Sequence, residues 1–263
     1  MSTQHHLTGG HEPEVAEPFD RIVDEGRQRL ERPLLSLVAT GLIGGIDIGF
    51  GILAYLVVKH ETGDALLASL AFSIGFVALL LARSELFTEN FLVPVTSVAA
   101  KQGTPVQLLR LWGVTAVTNI VGGGLIMWLL VTARPDLGGA LSETGLHYAE
   151  LGVGLRSFAL AVLAGAVITL LTRMQMATES TGVQLVPAVL FGPLLVGAEL
   201  FHCILDTLFV LGAMMAGADV TALDALVVFA WAAVGNVVGG VGLVTAIRLL
   251  RVTRKLSEAR QAA

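Results

Sequence analysis

Two short phrases place ionisable side chains inside stretches that are otherwise strongly apolar. Residues 84–88 read Ser84-Glu85-Leu86-Phe87-Thr88, and residues 198–202 read Ala198-Glu199-Leu200-Phe201-His202. A second pair follows: Asn119-Ile120-Val121-Gly122-Gly123, then Asn236-Val237-Val238-Gly239-Gly240. The spacings nearly agree, 199 − 85 = 114 and 236 − 119 = 117, so the two halves of the chain are related. A carboxylate at membrane depth is costly and usually functional. Two at matching places in two repeats suggest a transport path on an internal symmetry axis.

The chemistry on offer is anion and proton handling. On this spacing His202 takes the repeat position that Thr88 holds in the first half. Imidazole changes charge near neutral pH, so at mid-membrane it can hydrogen-bond an anion or pass it a proton. The plain alternative is a structural histidine bonded to a carbonyl. Asp206, four residues on, shares a helical face with His202, where it would orient the ring or cap a restarted helix. Thr88, Glu89 and Asn90 would cap the helix after the first interruption. Asn119 and Asn236 precede glycines that permit close helix contact, and their amides would bond the broken backbone. Phe87 and Phe201 belong to the same structural support. Glu199, His202 and Asp206 also have metal-ligand spacing of the Glu-x-x-His kind. The first copy offers only Glu85-x-x-Thr88, so a metal protein or membrane enzyme is the minor reading and no cofactor is expected.

The elements that must position these residues are membrane helices. The 263 residues are 54% hydrophobic and only 14% charged, where soluble domains carry about 25% charge. The mean hydropathy is +0.78. Six apolar stretches run near 34–58, 65–100, 107–132, 151–172, 183–216 and 221–249. A spanning helix needs about 20 residues, so the second and fifth are too long for one ordinary helix. Each contains its Glu-Leu-Phe phrase and has prolines, Pro94 or Pro187 and Pro193, which suggests broken helices. Residues 1–33 read as a disordered acidic start and then a surface helix, on the bilayer, against a neighbouring subunit, or as a solvated tail. No cleavable secretory signal is visible there. Residues 134–150 read as an interfacial segment, and 251–263 as a basic tail. The lone Cys203 excludes an internal disulfide, and no basic stripe suggests nucleic acid.

Lys and Arg set the orientation. One side carries Arg27, Arg29, Arg32, Lys101, Arg110, Arg173, Arg248, Arg251, Arg254 and Lys255; the other carries Lys59 and Arg134, with Arg156 at its edge. The positive-inside rule then puts both termini in the cytoplasm. Three spans per half is odd, so repeats 34–132 and 151–249 are expected to be inverted in topology. Asp47 and Arg83 are also buried on this reading, and an ion pair between them would explain both.

At these residues the chain resembles the formate/nitrite transporter family, over about residues 34–250. The resemblance is carried by Glu85-Leu86-Phe87-Thr88-Glu89-Asn90, by His202 with Ile204 and Asp206, by both Asn-x-x-Gly-Gly runs, and by the span from Leu37 to Gly49. It implies an all-α integral membrane protein, an inner-membrane homopentamer in which each six-helix, aquaporin-like protomer has its own pore. It implies no enzyme activity. Thr88 and His202 would face each other between two hydrophobic constrictions. The cargo would be a small monovalent anion such as formate, nitrite, hydrosulfide, acetate or lactate, with a proton neutralising it for passage. An aquaporin-like channel for neutral solutes is the alternative, though its usual Asn-Pro-Ala signature is absent. Three departures mark a divergent branch. Leu200 and Phe201 separate Glu199 from His202 where the family has Glu-His adjacent. Asp206 stands where it usually has Asn, and residues 135–155 lack the usual outer-mouth Lys, with Arg156 an approximate substitute.

Overall fold

The computed structural model describes residues 13–262, which are helical with no strand among them. The disordered start expected before residue 13 lies outside the described residues. In chain order the helices are α1 (Pro13–Glu31), α2 (Leu34–Thr62), α3 (Ala65–Ala82), α4 (Val93–Ala99), α5 (Pro105–Ala133) and α6 (Gly138–Leu151). They continue as α7 (Leu155–Met176), α8 (Thr181–Gly197), α9 (Cys203–Met215), α10 (Ala222–Val237), α11 (Ile247–Arg251) and α12 (Thr253–Ala262). A 3-10 turn, Phe87–Phe91, precedes α4, and a π-helical stretch, Val238–Ala246, joins α10 to α11 in one rod.

Five helices are long and apolar enough to cross a membrane: α2, α3, α5, α7 and the α10–α11 rod. The sixth crossing is assembled from two shorter apolar pieces, α8 of 17 residues and α9 of 13. Helix starts follow local capping chemistry. Asp64 accepts from the N–H groups of Leu66 and Leu67, and Thr104 with Gln107 forms a reciprocal cap on α5. The prolines do not make the breaks. Pro187 and Pro193 lie inside α8, and Pro94 sits in the first turn of α4. A proline in a first turn loses no hydrogen bond, which is why Pro94 starts a helix rather than ending one.

Helix α1 buries Phe19, Ile22, Val23 and Leu30 against its own chain, not against lipid or a neighbour. Phe19 and Val23 pack with Ala100 after α4 and with Val252 and Leu256 at the start of α12. The interfacial segment expected over 134–150 is α6, which packs on α9. The basic groups around α1 and α12 thus lie at one end of the bundle. Lys59, bonded to Glu143 and Thr144 on α6, lies at the other.

The duplication is visible in the backbone. In each half a glycine of the first helix lies against the asparagine of the third. A Cβ on Gly45 would collide with the Asn119 backbone, and one on Gly165 with that of Asn236. The glycine after each asparagine repeats this on its partner helix: Gly122 abuts the Leu42 carbonyl, and Gly239 the Val162 carbonyl. Such spacing brings helix backbones into direct contact, which suits association in lipid.

Candidate functional site: a waist between two broken helices

Each break begins with a residue in the left-handed region. Arg83 (φ 53°) ends α3 and Glu199 (φ 49°) follows α8. Glycine normally takes this place, and a larger residue costs about 1–2 kcal/mol there. Ser84 N–H then reaches back to Leu79 O at 3.2 Å, and Leu200 N–H to Leu195 O at 2.9 Å. These matched turns are offset by 116 residues (199 − 83), not 114.

The asparagines show the same register. Asn119 Oδ1 accepts from Phe87 N–H at 2.8 Å, while its Nδ2 donates to Glu85 O (3.0 Å) and Gly41 O (2.8 Å). Asn236 Oδ1 accepts from Cys203 N–H at 3.0 Å, while its Nδ2 donates to Phe201 O (2.9 Å) and Ala161 O (2.8 Å). One amide therefore satisfies a donor and an acceptor at each break and ties both to the first helix of its repeat. Without that bracket the broken backbone would lie unpaired at membrane depth, at several kcal/mol per group.

This register corrects the correspondence drawn from the phrases. Phe87 matches Cys203, Glu85 matches Phe201, and Glu199 matches Arg83. His202 sits at the position of Leu86, two residues before that of Thr88. The identical letters Glu-Leu-Phe misaligned the breaks because backbone geometry, not side-chain identity, defines the repeat.

Thr88 and His202 nevertheless meet. Thr88 Oγ1 lies 2.9 Å from His202 Nε2, and both residues are essentially fully buried. Thr88 is the second residue of a 3-10 turn, whereas His202 is the residue that caps α9. The imidazole Nδ1 accepts the Leu205 N–H at 3.2 Å. An accepting Nδ1 carries no hydrogen in the neutral ring, so the hydrogen-bond network assigns the N–H to Nε2, donating to Thr88. The Thr88 hydroxyl hydrogen is then free to donate to a third group. A proton added at Nδ1 would face the Leu205 N–H, so protonation there and this cap exclude each other.

Asp206 does not touch the ring. Its Oδ2 accepts the His202 backbone N–H at 2.6 Å, and its Oδ1 is buried without a partner among the described residues. Glu89 does the same for the first break, accepting Leu86 N–H at 2.9 Å, while Asn90 Nδ2 donates to Leu86 O. Aromatic groups close the surroundings. Phe87 and Phe91 pack edge-on against Trp112, which donates to Asn90 O. Phe201 and Phe209 stack on Tyr148 of α6.

The two glutamates of the repeated phrase part company. Glu85 is buried beside α1, where Arg32 Nη2 lies 2.8 Å and Arg29 Nε 3.4 Å from its Oε1. Burial alone would favour the uncharged form of Arg29. The carboxylates of Glu85 and Glu25 outweigh it and hold the guanidinium above its ordinary pKa. A cleft of about 590 Å³ opens here, lined by Arg29, Arg32, Ser84, Glu85, Glu89 and Gln175 among others. Glu199 instead lies at the opposite mouth, 61% exposed and 3.5 Å from His147 of α6. It does not converge with His202 and Asp206, and no metal-like cluster forms among the described residues. Asp47 accepts from Ser84 Oγ at 2.6 Å, while Arg83 is exposed, so the ion pair considered for them does not form. In the sequence, Arg29 and Arg32 serve only to set orientation and Ser84 only as part of the repeated phrase, and His147 and Tyr148 are not singled out. Only the three-residue spacing of Arg29 and Arg32, in the last turn of α1 and just beyond it, gave a signal that both turn the same way.

A sequence profile of the formate/nitrite transporter family matches residues 16–250. The inner membrane protein YfdC of Escherichia coli strain K12 is 33% identical over 115 residues, 41% of this chain and 37% of YfdC. A formate-nitrite transporter of Plasmodium vivax is 26% identical over 118 residues, 40% of this chain and 38% of that protein. The matched stretches thus span less than half the length of these curated relatives. Two solved structures share the fold. A pentameric formate channel with formate bound superposes with TM-score 0.68 at 23% identity, covering 84% of this chain and 98% of that one. An FNT family ion channel superposes with TM-score 0.77 at 16% identity, covering 90% and 97%. With six crossings in two bracketed repeats and a profile match over most of its length, this chain belongs to the formate/nitrite transporter family.

Proposed function

We propose that the protein is a channel or proton-linked transporter for a small monovalent anion, formate or a similar short carboxylate or inorganic anion, with His202 as the central proton and anion relay. The observation that carries this is the 2.9 Å contact between Thr88 and His202, where the two breaks meet in the buried interior. The contact leaves one hydroxyl hydrogen unspent, and the N-terminus of α9 adds partial positive charge beside it. An anion reaching the waist meets a donor there. For proton-linked passage water first protonates Nδ1 as the Leu205 cap lets go, leaving hydroxide; the imidazolium then passes its Nε2 proton to the Thr88 hydroxyl as that hydroxyl gives its own to the anion, and return of the Nδ1 proton to Nε2 through water restores the ring. Each transfer then moves one proton, and the cargo crosses the apolar slits uncharged. The solved pentameric formate channel with formate bound, which shares this fold, supports both the anion class and assembly as a homopentamer. The basic end carrying α1 and α12 is assigned to the cytoplasm by the positive-inside rule, and the name of the Escherichia coli relative supports the inner membrane as the bilayer.

Proteoliposome uptake tests the reading. Formate, nitrite, hydrosulfide, acetate, lactate and glycerol are offered at two pH values. Uptake of an anion with co-movement of protons is expected, and glycerol uptake alone would replace this reading with a neutral-solute channel. His202→Asn keeps a donor but cannot relay, so proton coupling is lost while some anion leak persists; His202→Phe stops both. Unchanged flux and pH dependence in both variants would remove His202 from the mechanism.

A further inference from the structure

Two guanidinium groups lie at the same end of packed helices, without counter-ions among the described residues, where the last crossing leaves the bundle. Arg248 lies in α11 at the end of the α10–α11 rod, and Arg173 lies in the last turn of α7, which packs along that rod. Gly240 of the rod packs on Thr169 of α7, one turn before Arg173, so the two arginines follow at the same end of the packed pair. Arg248 Nη1 is buried and has no hydrogen-bond partner, and neither arginine forms an ion pair among the described residues. A buried, unpaired guanidinium nitrogen beside a second cation is an expensive arrangement unless an anion joins it.

The surroundings indicate where that anion resides. Ile247 and Leu250, the neighbours of Arg248, are 59% and 75% exposed, and Met174 beside Arg173 is exposed too. These apolar groups face outward, as lipid-facing side chains do in a protein of this hydropathy. One turn further on, Val252 and Leu256 are buried under α1. The arginine pair therefore lies where hydrocarbon gives way to the capped end of the bundle, at headgroup depth. A phosphate oxygen is matched by the guanidinium fork, and acyl chains would run along the apolar flank.

We propose that Arg173 and Arg248 form a binding site for the phosphodiester headgroup of an anionic phospholipid. The site lies outside the waist and uses none of its residues. Basic pockets between membrane helices suit such headgroups, and the combined attraction of two arginines gives roughly thirtyfold preference over a zwitterionic lipid.

Native mass spectrometry of the purified full chain tests this directly, with phosphatidylglycerol and phosphatidylcholine offered at equal concentration. The unmodified protein should retain phosphatidylglycerol about thirtyfold better. Arg173→Gln/Arg248→Gln should lose that preference, while Arg156→Gln, at the other end, should keep it. Thermal melting is followed in parallel with phosphatidylglycerol and with glycerol 3-phosphate; only the lipid should raise the midpoint of the unmodified protein. Equal retention of both lipids by the unmodified protein overturns the proposal, even where the double variant fails to fold. So does undiminished preference in a folded double variant. A shift by glycerol 3-phosphate equal to that by the lipid assigns a free phosphate ester instead. A double variant that falls to smaller oligomers with unchanged lipid retention assigns the pair to a protomer contact.

Discussion

The first break is held by ion pairs with α1, and the second by aromatic stacking and a buried carboxylate cap. At the first, Glu85 takes Arg29 and Arg32 from α1, Asp47 takes the Ser84 hydroxyl, and Glu89 caps the 3-10 turn. At the second, Tyr148 stacks on Phe201 and Phe209, and Asp206 caps the α9 start. Beneath this difference the asparagine brackets are the same, bond for bond. The lesson is a division of labour. What lipid forbids, an unpaired broken backbone, is solved identically twice. What faces the waist is free to diverge, so one half gives a hydroxyl and the other an imidazole.

The largest effects should come from the shared bracket. Asn119→Ala or Asn236→Ala orphans one N–H and two C=O groups, each worth about 1–3 kcal/mol when buried. Both variants should fail to yield folded protein, or melt far below the unmodified chain. If one tolerates the change and the other does not, the two brackets are not equivalent.

Next comes the charged break. Glu85→Gln leaves Arg29 and Arg32 facing no carboxylate at that point and should cost about 3 kcal/mol, the usual scale for halving a buried pair. Its readout is the denaturation midpoint together with proteolysis of α1. The same substitution at Glu199, exposed and facing His147, should change the midpoint by less than about 1 kcal/mol. Equal losses at both glutamates would erase the contrast.

Asp206→Asn sharpens the comparison without breaking the fold. An amide oxygen still accepts the His202 N–H, and the unpartnered Oδ1 becomes a donor near the waist. Stability should move little, and anion flux in proteoliposomes should rise. A fall in flux would show that the carboxylate serves passage.

The smallest effect is backbone strain. Arg83→Gly should stabilise by about 1 kcal/mol, because glycine adopts a positive φ without penalty. Glu199→Gly should gain less, having also lost the His147 contact.

Much of the architecture was legible because lipid leaves few options. Six apolar stretches, two of them too long, already implied two interrupted crossings. The letters of the repeated phrase were less reliable as a register. Glu85 and Glu199 look equivalent in sequence, yet they stand two residues apart along the repeat, one buried against the arginines of the α1 end and the other exposed beside His147. Pro187 and Pro193 suggested where the fifth crossing breaks, yet α8 runs through both. Arg29 and Arg32 read as part of a surface helix or a solvated tail, because nothing local tells which charged group a helix will find.

The sequence alone determined the apolar crossings, the related halves, and Thr88 and His202 as the polar groups nearest the breaks. Hydrophobicity and residue type are local quantities, and the bilayer translates them directly into helices. Only the tertiary structure decided that the breaks align at 116 rather than 114, that Glu85 belongs to α1, and that Asp206 caps backbone rather than imidazole. Those are choices among hydrogen-bond partners far apart in the chain, and packing geometry selects them.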